Sequence, residues 1–144
     1  MSEDGRTLGV LISGRGSNLQ ALLDATGQGR LNARVGVVIS NKAGAPGLER
    51  ARKADVPTVV LSHEDFDSRE SFDSAVLEAL RSYFVDVVCL AGFMRILSPV
   101  FLRAYPHRIL NIHPSLLPAF VGLDAQRQAI EHGVKVSGVT VHLV

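Results

Sequence analysis

The chain has a single cysteine, Cys89, in 144 residues, so no disulfide can form within it, a usage that suits a reducing cytoplasm. It has no apolar run of membrane-spanning length. Its first residues, Met1 to Arg6, are polar and lack a signal-peptide pattern. Neither sign of charge dominates: 15 basic residues stand against 14 acidic ones, a net charge of +1. With no basic run and no aromatic ladder, nucleic acid is not an expected partner. Internal repeats, low-complexity segments and linkers are also missing, and the length suits one domain with a substantial core. What is present in quantity is apolar: 47% of the residues are hydrophobic and the mean hydropathy is +0.21. That composition fits a sheet buried on both faces. Cys89 lies in the run Val87-Val88-Cys89-Leu90 and reads as a core residue, because no electropositive neighbour favours a catalytic thiolate there.

Thr7 to Ser13 reads as a buried strand, followed by the turn Gly14-Arg15-Gly16-Ser17-Asn18 and a helix opening at Leu19-Gln20-Ala21-Leu22-Leu23. Strand, glycine turn and helix N-terminus is a layout that binds phosphate through backbone N–H groups and the helix dipole. Gly14 and Gly16 let the backbone turn sharply and approach an anion, and Ser17 and Asn18 can cap the helix or donate to phosphate oxygens. The dinucleotide fingerprint is incomplete: Leu19 occupies its third glycine position, and Ser40-Asn41-Lys42 stands where a ribose-binding acid belongs. No Gly-Lys-Ser/Thr follows, so a P-loop is absent too. A single phosphate monoester is the better fit. The competing reading is a turn that only closes a βα unit.

Val35 to Ser40 is expected as a second strand, Gly47 to Lys53 as a helix and Val56 to Leu61 as a third strand. A loop with a solvated His63 leads to a long helix over about Arg69 to Tyr83, whose Phe72, Val76, Leu77, Leu80 and Phe84 recur at helical spacing. Ser68 is its candidate cap, with Glu70 and Asp73 in its first turns. Asp86 to Leu90 is a fourth strand. Ser98 as N-cap and Pro99 at the first helical position mark a short helix to about Ala104. Between them Gly92 to Leu97 lies at a strand end, where it forms either an apolar wall for a flat heterocycle or simply a packed loop.

Ile109 to His113 reads as a short buried strand ended by Pro114. Period-2 alternation sets Asn111 and His113 on one face, roughly 6–7 Å apart along the backbone. At the carboxyl end of a parallel strand they meet the crevice. There the amide can donate to a developing oxyanion and the imidazole can carry a proton. The alternative is a histidine satisfied by a carbonyl, with Asn111 tying down a loop. Further on, a helix is expected from Gly122 or Leu123 to about Glu131, with His132 near its end and Gly133 as its C-terminal glycine. Val136 to Val144 is a last strand, with His142 on its polar face as either core or site.

Three segments together resemble the phosphoribosylglycinamide formyltransferase family: Ser13 to Asn18, Ala91 to Pro99, and Leu110 to Pro118. Ser40-Asn41-Lys42 and Phe66-Asp67-Ser68-Arg69 fit the same family, and the resemblance spans nearly the whole chain in order. It implies a mainly parallel, open α/β sheet with helices on both faces, a Rossmann-like formyltransferase fold. The implied activity is transfer of a formyl group from 10-formyltetrahydrofolate, as co-substrate and without a metal, to the amine of glycinamide ribonucleotide in purine biosynthesis. By this similarity Gly16, Ser17 and Asn18 contact the phosphate-bearing substrate. Arg69 and the segment Met94, Arg95, Ile96 and Leu97 match folate-binding positions, and Asn111 and His113 match the catalytic pair.

The resemblance also carries departures. Val121 stands where the family usually has proline. The family's catalytic aspartate is expected in a loop just after the last strand, so residues 1–144 read as a single formyltransferase domain lacking its expected C-terminal portion. Two alternatives remain at this point: a formyltetrahydrofolate deformylase, which hydrolyses the formyl group, and a non-catalytic phosphate- or folate-binding domain. The remaining expectations are small-molecule substrates, no nucleic acid, no membrane, a cytoplasmic location, and a monomer or homodimer.

Overall fold

A computed structural model describes residues 5–113 and 140–143. The element order is β1 (Arg6–Ile12), α1 (Ser17–Gly27), β2 (Ala33–Ser40), α2 (Gly47–Lys53), β3 (Thr58–Val60), a 3₁₀ turn at His63–Asp65, α3 (Arg69–Ser82), β4 (Val87–Ala91), α4 (Pro99–Ala104), β5 (Ile109–His113) and β6 (Thr140–Leu143). The strands form one sheet in the order β3-β2-β1-β4-β5-β6. All neighbours pair in parallel except β5 and β6, which are antiparallel. The expected open, mainly parallel sheet is therefore present. Residues 114–118, Val121, the helix expected after Gly122, His132 and Gly133 lie outside the described residues.

The central strands are apolar on both sides, as a doubly covered parallel sheet requires. Val10, Leu11 and Ile12 are wholly buried, as are Val37 and Val38. On one face Leu8, Val10 and Ile12 pack with Leu19 and Leu22 of α1 and Leu48 and Ala51 of α2. On the other, Leu11, Val37 and Ile39 pack with Phe72, Val76, Leu77 and Leu80 of α3 and Phe101 of α4. Each such side chain contributes about 1.5–3 kcal/mol by leaving water. The crossover from β1 through α1 runs to β2 on one side, whereas that from β4 through α4 runs to β5 on the other. With a common right-handed sense, opposite steps send the helices to opposite faces.

Two glycines let the layers close. A Cβ on Gly9 would fall 2.5 Å from Leu80 Cδ2, so α3 approaches β1 as nearly as the backbone allows. Gly36 is the extra residue where the β1–β2 register shifts between Leu8 and Gly9, and a Cβ there would meet Thr7 Cγ2 at 2.6 Å.

Local signals account for most boundaries. α3 begins with a reciprocal capping box: Ser68 Oγ accepts from the Ser71 N–H at 3.1 Å, and Ser71 Oγ accepts from the Ser68 N–H at 3.2 Å. β3 is shorter than the expected Val56–Leu61, because ladder pairing to β2 covers only Thr58 to Val60. His63 is half-buried, not solvated, and its Nδ1 is buried with no hydrogen-bond partner.

Cys89 sits in the core, and burial pushes its thiol up to about 12. At pH 8 the folded protein therefore holds almost no reactive thiolate. A maleimide reagent is expected to label it only as fast as the molecule unfolds, adding denaturant should restore rapid labelling, and stoichiometric labelling within minutes under native conditions would contradict this burial.

Candidate functional site

β1 and β4 are adjacent, and the chain leaves their carboxyl ends toward opposite edges of the sheet. Such a switch point opens a crevice that secondary structure does not fill. A cavity of about 100 Å³ lies there, lined by residues 14–18 from the β1–α1 turn and by Ala91 and Gly92 at the end of β4.

The turn is built around the absence of side chains. Gly16 precedes α1 in the left-handed region, with φ 76°, a conformation that costs an L-residue roughly 1–2 kcal/mol. The residue before α1 is Gly16, which has no side chain to cap the helix. Ser17 and Asn18 stand in the first turn and line the cavity, Ser17 exposed and Asn18 buried and engaged in an interaction of its own. The helix therefore presents its positive end there.

α2 holds this turn from behind. The Gly47 N–H donates to Gly14 O at 2.9 Å. Arg50 Nε donates to Arg15 O at 2.8 Å, and its Nη1 donates to Gln20 Oε1 at 3.3 Å. A Cβ on Gly16 would fall 2.7 Å from Gly47 Cα, so the two glycines are in backbone contact. Ser13 ties in the neighbouring strands: its hydroxyl donates to Asn41 Oδ1 at 2.6 Å and accepts from the Met94 N–H at 2.9 Å.

The 92–98 segment is not a uniform apolar wall. It alternates: Phe93 and Leu97 pack into the α3–α4 core, whereas Met94 and Ile96 are 77% and 73% exposed. Arg95 places its guanidinium 5.7 Å from the centroid of the Phe72 ring, which stands edge-on to Phe66 at 5.6 Å. Of the candidate positions here, only Met94 and Ile96 turn outward to solvent. Leu97 is an anchor, and Arg95 is held against an aromatic face. Arg69 is exposed at the first position of α3, one turn before Phe72 and Asp73, and so stands at the same end of that helix.

Asp73 does not serve the helix dipole as its position in the sequence suggested. Its buried carboxylate accepts the Ser98 N–H at 2.7 Å. Ser98 does precede α4 in extended conformation, but its hydroxyl caps nothing and has no hydrogen-bond partner. The carboxylate takes over the fixing of the 92–98 segment from a position 25 residues away.

β5 brings the third motif to the same end of the sheet. Asn111 pairs with Leu90 and Ile112 with Ala91, one residue from the cavity lining. Ile109 belongs to the α3–α4 core and Leu110 packs against the opposite one, so Asn111 shares the face of Ile109, as alternation predicts. Asn111 is half-buried and engaged in an interaction of its own. His113 follows two residues on, opposite Thr140, and His142 stands opposite Asn111 across the β5–β6 pair. The expectation for the His113 imidazole lies outside what is described. The glycine turn, the 92–98 segment and the Asn111–His113 strand end thus meet at the carboxyl ends of the adjacent strands β1, β4 and β5. Gly47 and Arg50 are added as supports that motif reading did not single out, and Ser13, quoted only as part of a motif, gains a bonding role. Their partners are backbone groups and the side-chain amides of Asn41 and Gln20, which leave no spacing signal.

A family model described as formyl transferase matches residues 7–144. The chain is 53% identical over 135 residues to the phosphoribosylglycinamide formyltransferase of Escherichia coli (strain K12), covering 94% of this chain and 64% of that protein. It is 53% identical over 147 residues to the trifunctional purine biosynthetic protein adenosine-3 of Drosophila melanogaster, covering 100% of this chain and 11% of that protein. It thus spans about a tenth of the insect protein and just under two-thirds of the bacterial one. The crystal structure of glycinamide ribonucleotide transformylase 1 from Symbiobacterium toebii matches with a TM-score of 0.81 and 57% identity, covering 99% of this chain and 68% of that one.

Two outcomes test this geometry. Gly16→Ala combines a left-handed backbone with a backbone clash, so it is expected to lower unfolding free energy by about 2 kcal/mol or more and to weaken anion binding at the cavity. An unchanged urea midpoint would refute that account. Asp73→Ala leaves the buried Ser98 N–H without its acceptor and is expected to cost about 1–3 kcal/mol in the same urea titration. Asp73→Asn, which keeps an acceptor oxygen, should cost less.

Proposed function

The chain belongs to the formyl transferase family, and from that membership we propose that it carries the substrate site of a phosphoribosylglycinamide formyltransferase. The observation that carries the reading is the junction at the switch point. A glycine turn and the helix N-terminus that follows it face the same cavity as the strand end that leads on to the exposed Met94 and Ile96. The first half suits a phosphate monoester, as in glycinamide ribonucleotide. The second suits a flat, largely apolar heterocycle, as in 10-formyltetrahydrofolate, with exposed methionine and isoleucine beside backbone donors and acceptors. Names of relatives support glycinamide ribonucleotide as the formyl acceptor.

In this reading the residues divide by role. Gly16, Ser17 and Asn18 hold the phosphate through backbone N–H and side-chain donors. Met94 and Ile96, with Arg69, contact the folate through their side chains, and Arg95 and Leu97 contribute the main chain of the same segment. The folate supplies the electrophilic formyl carbon. Asn111 donates its amide N–H to the oxygen on which negative charge develops, at a fixed place that needs no reorganisation. His113 carries a proton and, when protonated, adds positive charge beside that oxygen. The reading includes action on small molecules in the cytoplasm as a monomer or homodimer, with no nucleic-acid, membrane or metal partner.

Formyl transfer from 10-formyltetrahydrofolate to glycinamide ribonucleotide, assayed with protein from the complete reading frame that carries this sequence, is the test. Product formation should require the amine, and Asn111→Ala should lower turnover by about 10²–10³. Release of free formate at the same rate with no amine present would overturn the reading in favour of hydrolysis.

A further inference from the structure

We infer that Arg50 is the positioning residue of the phosphate cradle, acting through the main chain of the β1–α1 turn; this rests on the formyltransferase reading of the cavity. The argument begins with peptide geometry. In a trans peptide the C=O and the following N–H point in opposite directions. Gly14 O accepts from the Gly47 N–H at 2.9 Å, and Arg15 O accepts from Arg50 Nε at 2.8 Å. Two successive carbonyls are therefore turned toward α2, and the N–H groups of Arg15 and Gly16 are turned away from it. Residues 14–18 line the cavity and no residue of α2 does. Both N–H groups are thereby aimed to the ligand side, as successive donors in an anion-binding nest.

One of these two carbonyls is held by a backbone N–H, which any substitution other than proline leaves in place. The other depends on the Arg50 side chain, whose second arm reaches Gln20 Oε1 on α1 at 3.3 Å. Arg50 thus fixes the turn relative to the helix whose N-terminus completes the cradle. It lies behind the turn, outside the residues that line the cavity, and so acts on the ligand through Arg15 and Gly16.

Two variants separate this role from simple charge. Glutamine places Nε2 at the same bond count from Cα as arginine Nε, keeping a donor but losing the charge. Lysine keeps the charge but puts a methylene at that position. KM for glycinamide ribonucleotide, KM for 10-formyltetrahydrofolate and kcat are measured for both, with direct titration of inorganic phosphate as a readout independent of turnover. Arg50→Gln keeps the donor to Arg15 O and loses only the arm to Gln20, so it is expected to raise KM for the ribonucleotide about twofold, well short of the loss in Arg50→Lys. Arg50→Lys should raise KM for the ribonucleotide, and weaken phosphate binding, about tenfold, with the folate KM and the thermal midpoint unchanged. Retention by lysine with loss by glutamine would overturn the inference in favour of a charge effect. Equal losses, or none, in the two variants would overturn it as well. A wild-type protein that transfers no formyl group yet shows the expected order in phosphate titration would refute the formyltransferase reading alone.

Discussion

The hydroxyl of Ser13 is the point on which the crevice depends. A hydroxyl can donate once and accept twice. This one donates to Asn41 at the end of β2 and accepts from Met94 just past the end of β4. Ser13 itself follows β1 and precedes the glycine turn. Three strand ends are thus joined by one atom, and both Ser13 and Asn41 are buried. Removing that atom would strand a buried amide oxygen and a main-chain donor together, a deficit that apolar packing nearby cannot offset.

Around that point the two halves of the site belong to different layers. The glycine turn is braced by α2 and runs into α1, both packed on one face of the sheet. The 92–98 segment is pinned by Phe72 and Asp73 of α3, on the other face. The glycine turn and the 92–98 segment therefore draw their rigidity from separate cores. They meet only where the sheet reverses its direction of winding, which is why the cavity forms there and not along an edge.

Elements whose definition is local were readable from sequence. Gly47 to Lys53, Pro99 to Ala104 and Ile109 to His113 have the expected bounds, because a turn glycine, a proline at the first helical position and a proline-terminated apolar run act within a few residues. Roles that depend on a partner far along the chain were not. Ser98 precedes its helix as expected, yet Asp73 does the bonding. Arg50 looks like one more basic residue near the end of a helix, because its acceptor is a carbonyl 35 residues earlier. The stretch from Phe93 to Leu97 was legible as apolar but not as two-sided, since hydropathy does not record which way each residue turns.

That two-sidedness bears on how such a surface diverges. The inward side chains at 93, 95 and 97 carry the stability of the segment, while those at 94 and 96 lie mostly in solvent. Exposed positions tolerate exchange within about half a kcal/mol. Lineages can therefore exchange the solvent-facing pair without compensating mutations in the core, while their three neighbours stay under folding selection.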